Sequence, residues 1–294
     1  MIDDFLNYLR YERRASEQTI VTYEEALRTF KEYYEGRDGD ITWQTVDADL
    51  IRDWMEHLMD AGCNAWTINK KLSALHSFYR FALRRALVEH DPAHAVSGPK
   101  KDKALPQFVR ESDMDKLLDG PEWDMASYKD VLARTIILLF YETGLRRAEL
   151  IGLDDKDVDF PAHQIKVTGK RNKQRIVPFG EELEAELRRY LELRNEQEFC
   201  AHEGAFFQDE KGRRVTREVV YKIVRDNLSK VTSMKKRSPH VLRHSFATAM
   251  LNNGAGLESI QKILGHESLN TTEIYTHVTF EQLKRVYQEA HPRA

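Results

Sequence analysis

Ser97-Gly98-Pro99-Lys100-Lys101-Asp102-Lys103, polar, basic and bearing both glycine and proline, interrupts a chain otherwise patterned with apolar residues at helical spacing. Such a run neither sustains a helix nor packs into a core, so it divides the sequence into two pieces that must each close a core of their own. The 294 residues are enough for two, and 41% apolar with 32% charged content is a globular rather than a disordered composition. The expected division is a helical domain over 1–97, a linker over 98–110 and a second domain over 111–294.

In the first piece, Phe5, Leu6 and Leu9, then Ile20, Tyr23, Leu27, Phe30 and Tyr34, then Leu50, Trp54 and Leu58 recur at helix spacing, with Ser16 and Asn64 as N-caps. A fourth helix, 65 to 86, buries Ile68, Leu72, Leu75 and Tyr79 and carries Lys70, Lys71, Arg80, Arg84 and Arg85 elsewhere around its circumference. Taken alone, that basic edge fits solvation as well as it fits a ligand. In the second piece a helix starts at Glu111, and the apolar stretch 131 to 141 reads as a buried central helix ended by Gly144. Two strands, 164 to 167 and 175 to 177, flank the turn Gly169-Lys170-Arg171-Asn172-Lys173, and helices at 181–198, 216–231, 239–251 and 257–264 follow. The fold class expected is mainly α with a small β-sheet.

Asp3 and Asp4 stand where a secretory signal needs positive charge, and the longest apolar run, 136 to 141, is too short for a bilayer, so the expected compartment is the cytoplasm. Cys63 and Cys200 lie far apart and in no CxxC or zinc spacing, so both are read as ordinary thiols. A net charge of −3 argues at first against a nucleic-acid partner. The average hides a division: residues 1–97 hold 12 Lys/Arg against 17 Asp/Glu, which leaves 33 against 31 for the rest. Residues 211–243 alone carry eleven Lys/Arg against two acids, and 166–175 carry five against none.

Four constellations carry chemistry. In Ser238-Pro239-His240-Val241-Leu242-Arg243-His244, a capping serine and a first-turn proline place His240 and Arg243 on one face at a helix N-terminus, where backbone amides favour an anion. His240 and His244 are also four apart, but HExxH lacks its glutamate here and no third ligand lies nearby, so no metal is expected; His244 is read as a core histidine. In Thr143-Gly144-Leu145-Arg146-Arg147-Ala148-Glu149, an arginine follows a helix-ending glycine with Glu149 near enough to orient it, suiting bidentate phosphate contact. Lys170 sits at the tip of a hairpin, and Leu264-Gly265-His266 ends a helix nine residues before Tyr275. Each is weak alone; their order and spacing carry the argument.

TGLRRAEL (143–150), TGKRNKQRIVP (168–178), HVLRHSFAT (240–248), LGHESLNTTEIYTHV (264–278) and TINKKLSALHSFYRF (67–81) together resemble the tyrosine recombinase, or phage integrase, family, most closely its Xer branch. The resemblance spans nearly the whole chain. It implies a helical core-binding domain and a mixed catalytic domain clamped around duplex DNA, with no cofactor. It further implies that Arg146 and Arg243 are the catalytic arginines, Lys170 the hairpin lysine, His240 and His266 the histidines, and Tyr275 the nucleophile. Lys70, Lys71, Arg171, Lys173 and Arg175 are expected to contact DNA. Two departures stand out: Arg171 replaces the hairpin glycine of many relatives, making Lys173 a rival to Lys170, and Ala249 replaces a histidine frequent in Xer proteins.

Implied too is a transesterification without ATP: the Tyr275 phenol attacks phosphorus, a 3′-phosphotyrosyl bond forms, and a 5′-hydroxyl leaves. Two guanidiniums and an ammonium offset the charge growing on the phosphate. A phenol of ordinary pKa, about 10, needs a base or neighbouring positive charge to react at neutral pH. Expected partners are a short near-palindromic duplex, copies of itself or of a second recombinase in a tetramer, and a DNA translocase. A C-terminal helix over 280–292, with Leu283, Val286, Tyr287 and Ala290 as its apolar stripe behind a capping box at Thr279, is expected to be exchanged between protomers. Three alternatives are open: a mobile-element integrase, a type IB topoisomerase, and a non-catalytic DNA-binding regulator on the same fold.

Overall fold

The computed structural model describes residues 1–37, 40–100, 107–169, 173–197, 204–265 and 280–294. The chain forms two compact units, 1–104 and 105–294.

In the first unit, α1 (Ile2–Asn7) runs into a π-helical turn, Tyr8–Glu12, before α2 (Glu17–Glu35), α3 (Ala48–Asp60) and α4 (Ala65–Arg84). Their starts are set by side chains accepting from backbone amides: Ser16 from Thr19, Asp47 from Leu50 and Asn64 from Thr67. The apolar stripes meet in an aromatic core in which Phe30 stands edge-on to Trp54 at 4.9 Å and Trp43 packs on Phe78 at 4.5 Å. Asn69 donates to the Pro99 carbonyl at 2.9 Å, which pins the chain leaving this unit onto α4.

The second unit is built around α6 (Tyr128–Thr143), whose residues 136 to 143 are all buried. Packed against it are α8 (Glu181–Glu196), α9 (Arg217–Val231) and α10 (Pro239–Asn252), with α5 (Glu111–Leu118) and the short α7 (Arg147–Ile151) on α9, and α11 (Leu257–Leu264) on α10. A three-stranded antiparallel sheet, in the order β1 (Val158–Asp159), β2 (Gln164–Thr168) and β3 (Gln174–Pro178), has a register running from Gln164 opposite Pro178 to Thr168 opposite Gln174. The described segments are thus mainly helical with one small sheet. Val109 is buried and its amide donates to Ser245 at 2.8 Å, which ties the approach to α5 onto α10. Among the described residues no helix is long and apolar enough to cross a membrane, and no group of three or more His, Cys, Asp and Glu could hold a metal.

Helix α12 (Phe280–Ala290) lies on its own unit in this single chain; Thr279, its expected capping residue, is outside the described residues. Tyr287 is fully buried and donates to Glu142 Oε2 at 2.9 Å, while the His291 ring stacks against Tyr287 and Phe246. Arg293 then pairs with Asp115, Asp119 and Glu182 at 2.6 to 2.9 Å. Glu142 lies wholly inside the core with Oε1 unpartnered, so burial pushes its carboxyl up to about 8 against the helping bonds from Tyr287 and Gly180. A folded-state pKa above the unfolded value means the native state holds the proton at neutral pH. This contribution is therefore complete below about pH 4.5 and is lost as pH rises toward 8. Glu142→Gln, which keeps the shape and cannot ionise, should raise stability at pH 8 by on the order of a few kcal/mol. The gain should shrink toward pH 5 in thermal melts across that range.

Candidate active site

The site is assembled where α6, α10 and α11 end or pass one another. Gly144 closes α6 in the left-handed conformation, φ 59°, and a Cβ there would lie 2.6 Å from both Leu264 and Phe246. Only glycine permits both the reversal and the approach. The chain then extends through Leu145 to Arg146, which precedes the first residue of α7, and Glu149 reaches back to accept from the Arg146 amide at 2.8 Å.

Glu149 is the centre of the arrangement. Its carboxylate, 2% exposed, accepts from Arg146 Nη1 at 2.9 Å through Oε1, and from Arg175 Nη1 at 2.6 Å and Nη2 at 2.9 Å through Oε1 and Oε2. Burial alone would raise this carboxyl, but the bonds from Arg175 and Arg146 outweigh it and hold it below its ordinary range. Further donors of the arginines go to carbonyls at helix ends: Arg175 Nε to Ile263 at 2.7 Å, Arg243 Nη2 to Leu264 at 2.8 Å, Arg146 Nη2 to Gly265 at 2.9 Å, and Arg243 Nη1 to Gly144. Three successive carbonyls of the α11 C-terminus thus bind three different arginines, which matches cations to the negative end of the helix.

Arg243 is buried, and lost hydration together with the neighbouring Arg146 brings it down to about 10, still protonated at neutral pH. Three guanidiniums against one carboxylate leave an excess of positive charge. It surfaces at Arg146, whose side chain is 37% exposed. One turn before Arg243 on α10, His240 reaches solvent. Partial desolvation and then the charges of Arg147, Arg243, His244 and Lys236 hold it below its ordinary value, so its ring is neutral at pH 7 and can accept a proton. A convergent pair of guanidiniums beside a neutral imidazole suits binding of a phosphodiester while a nearby hydroxyl gives up its proton.

Of the residues expected from sequence, Arg146 and Arg243 are brought side by side, with His240 at the same helix start. Lys170, Arg171, His266 and Tyr275 lie outside the described residues. The base of the hairpin that carries Lys170 and Arg171 is described: the Gly169 amide donates to the Lys173 carbonyl at 2.7 Å. In the other unit, the Lys70 ammonium lies 5.5 Å from the ring of Trp66, itself 63% exposed, while Lys71 reaches Thr29 at 3.4 Å. Three expectations change. Arg175, expected to contact DNA, is only 15% exposed, and each of its three guanidinium nitrogens makes an internal bond. His244 is exposed rather than packed in the core. Ser238 precedes α10 without capping it, its hydroxyl being buried and unpartnered. The inward role of Arg175 was missed although a signal existed, for it is two residues from Val177 and directly opposite Val167, on the buried face of the strand pair.

The left-handed Gly144 gives a test of this architecture. Gly144→Ala should cost roughly 2–4 kcal/mol of stability, from the backbone strain and the overlap with Leu264 and Phe246. Denaturant unfolding measures it, and a change below about 0.5 kcal/mol would show that the close approach is absent.

Residues 107–282 match the Phage integrase family and residues 2–86 match the Phage integrase N-terminal SAM-like domain. Among curated relatives, tyrosine recombinase XerC of Chlorobaculum tepidum is 37% identical over all of this chain and 94% of its own length. Tyrosine recombinase XerD of Oceanobacillus iheyensis is 36% identical over all of this chain and 98% of its own. Among solved structures, XerH site-specific recombinase bound to palindromic difH substrate superposes with a TM-score of 0.73 at 23% identity, covering 97% of this chain and 83% of that one. The integrase of transposon Tn1549 bound to circular intermediate DNA gives 0.71 at 21%, covering 97% of each. With both units matched in order and the relatives aligned from end to end, the chain belongs to the phage integrase family, as a tyrosine recombinase that cleaves and rejoins DNA.

Proposed function

We propose that the chain recombines duplex DNA at a specific site by way of a 3′-phosphotyrosyl intermediate on Tyr275. The observation that carries this reading is the cluster of Arg146 and Arg243 about Glu149, fixed to the last carbonyls of α11, because the next residue in the chain is His266 and Tyr275 follows nine later. In this reading Arg146 and Arg243 donate to the two non-bridging oxygens as negative charge grows on them. The Tyr275 oxygen bonds to phosphorus as the bond from phosphorus to the 5′-oxygen breaks. His240, neutral at pH 7, takes the phenolic proton, Lys170 gives one to the departing oxygen, and His266 orients the phosphate. The phosphotyrosyl bond keeps the energy of the ester, so a 5′-hydroxyl of another strand reverses the step without an energy source.

The role proposed is that of a Xer protein, resolving multimers of circular chromosomes or plasmids in the cytoplasm. The end-to-end identity with XerC and XerD sequences supports it, whereas the transposon integrase, at 21%, supports the fold alone. Assembly is proposed to be a tetramer on a short near-palindromic site, of this chain alone or with a second recombinase, and responsive to a DNA translocase. Exchange of α12 between protomers would use the seat around Glu142, Phe246 and Gly180 that the helix of the single chain already fits. Lys70, Lys71 and Lys173, with Arg171, are proposed to meet the DNA backbone.

A nicked duplex that releases its 5′ fragment after cleavage traps the covalent complex. The wild-type chain should accumulate protein linked to DNA, Tyr275→Phe should bind the same duplex and form none, and Arg146→Ala or Arg243→Ala should slow trapping by on the order of 10² or more. Adducts on Tyr275→Phe would place the nucleophile elsewhere, and no adducts from the wild type would favour a DNA-binding regulator. In the host, loss of the gene should leave multimeric circular replicons, visible on pulsed-field gels; wild-type levels of monomers would sink the Xer role.

A further inference from the structure

An ionised carboxylate offers about four lone-pair positions, and those of Glu149 are filled: Oε1 by Arg146 Nη1 and Arg175 Nη1, Oε2 by the Arg146 amide and Arg175 Nη2. Arg146 therefore donates one side-chain bond to this carboxylate, not the fork-to-fork pair that an arginine and a carboxylate prefer. The fork is taken by Arg175. Its third nitrogen binds Ile263, two residues before the Gly265 carbonyl that accepts from Arg146, and its Cδ sits 3.0 Å from where a Cβ on Gly265 would be. Arg175 thus joins three things that the chain keeps far apart: the carboxylate behind Arg146, the end of α11, and the strand pair that carries residues 170–172 between its two strands.

We infer that Arg175 is a positioning residue for the cleavage step, occupying Glu149 bidentately so that Arg146 stays singly bound and keeps N–H groups open to the scissile phosphate. Without it, two lone-pair positions of a buried carboxylate fall empty beside a single guanidinium. Glu149 then draws Arg146 into a bidentate pair, cancels its charge, and turns its donors away from the solvent side. The effect lies on the reaction and not on DNA affinity, since the Arg175 side chain is only 15% exposed and each of its nitrogens is held by an internal acceptor.

The inference rests on the reading of Arg146 as a phosphate-binding group, and the experiment separates the two. The probe is a nicked duplex bearing the site selected by the purified wild-type protein, and the readouts are the single-turnover rate of covalent capture and the Kd for the same duplex. Arg175→Gln should lower the capture rate at least about tenfold, as small misplacements of a positioned group do, with Kd within about threefold of wild type. The double variant Glu149→Gln/Arg175→Gln should return to within about threefold of Glu149→Gln alone, because a neutral residue at 149 has no charge with which to capture Arg146. A wild-type rate for Arg175→Gln, a rise in Kd as large as the fall in rate, or a double variant as slow as the product of the single losses would each overturn the inference. If Arg175→Gln does not fold, Arg175→Lys, which keeps the charge and loses the fork, replaces it in the same comparison. Adducts formed by Tyr275→Phe would instead overturn the underlying reading and leave the geometry of Arg175 unaddressed.

Discussion

The saturated carboxylate of Glu149 is the interaction on which the second unit's chemistry depends. A buried negative charge is costly unless each lone pair is met, and here the four partners come from two arginines that start 29 residues apart in sequence. Meeting that demand fixes Arg146 at the start of α7 and Arg175 on β3. Because the same arginines, with Arg243, also bind the carbonyls of residues 263 to 265, the C-terminus of α11 is tied to the cluster. One electrostatic requirement therefore sets both the position of the cations and the point from which the chain sets out toward residue 275.

The other end of that segment is held by different physics. Helix α12 buries Tyr287 and His291 among aromatic rings, and Arg293 closes the seat with three carboxylates at its edge. Beneath it lies Glu142, an acid kept protonated by burial, which accepts from Tyr287, while the His291 ring reaches the Tyr141 carbonyl and Asn253 donates to the Ala290 carbonyl. His291 is pushed down to about 3 by the same loss of water and stays neutral. Anchoring by neutral groups, apolar area and a peripheral arginine lets a helix be seated without trapping net charge in the core.

Much of this was legible from the amino acids, for reasons that are local. Ser16 and Asn64 cap helices because a short side chain brings an oxygen within reach of the amides of the first turn. Gly144 ends α6 because φ near +59° disfavours a side chain, and Leu264 and Phe246 leave no room for one. Strands 164–168 and 174–178 were readable within a residue or two from their alternation and basic turn. The site was legible as a set of residue types at family spacing. Less legible was what each does: Ser238 has the right chemistry for a cap yet does not cap, and His244 is exposed rather than packed in the core. Helix α7 is only five residues long and has too little periodicity to show.

The sequence by itself determined the two-domain order, the helical class with its small sheet, and the family, since these follow from periodicity, breakers and motif spacing along the chain. The tertiary structure decided how the cations are shared out. A guanidinium looks the same in sequence whether it faces a ligand or a buried carboxylate, and only the meeting of α6, α7, α11 and β3 turns Arg146 outward and Arg175 inward. That choice depends on which carbonyls and lone pairs are left unmet when distant segments converge, a quantity that no local pattern contains.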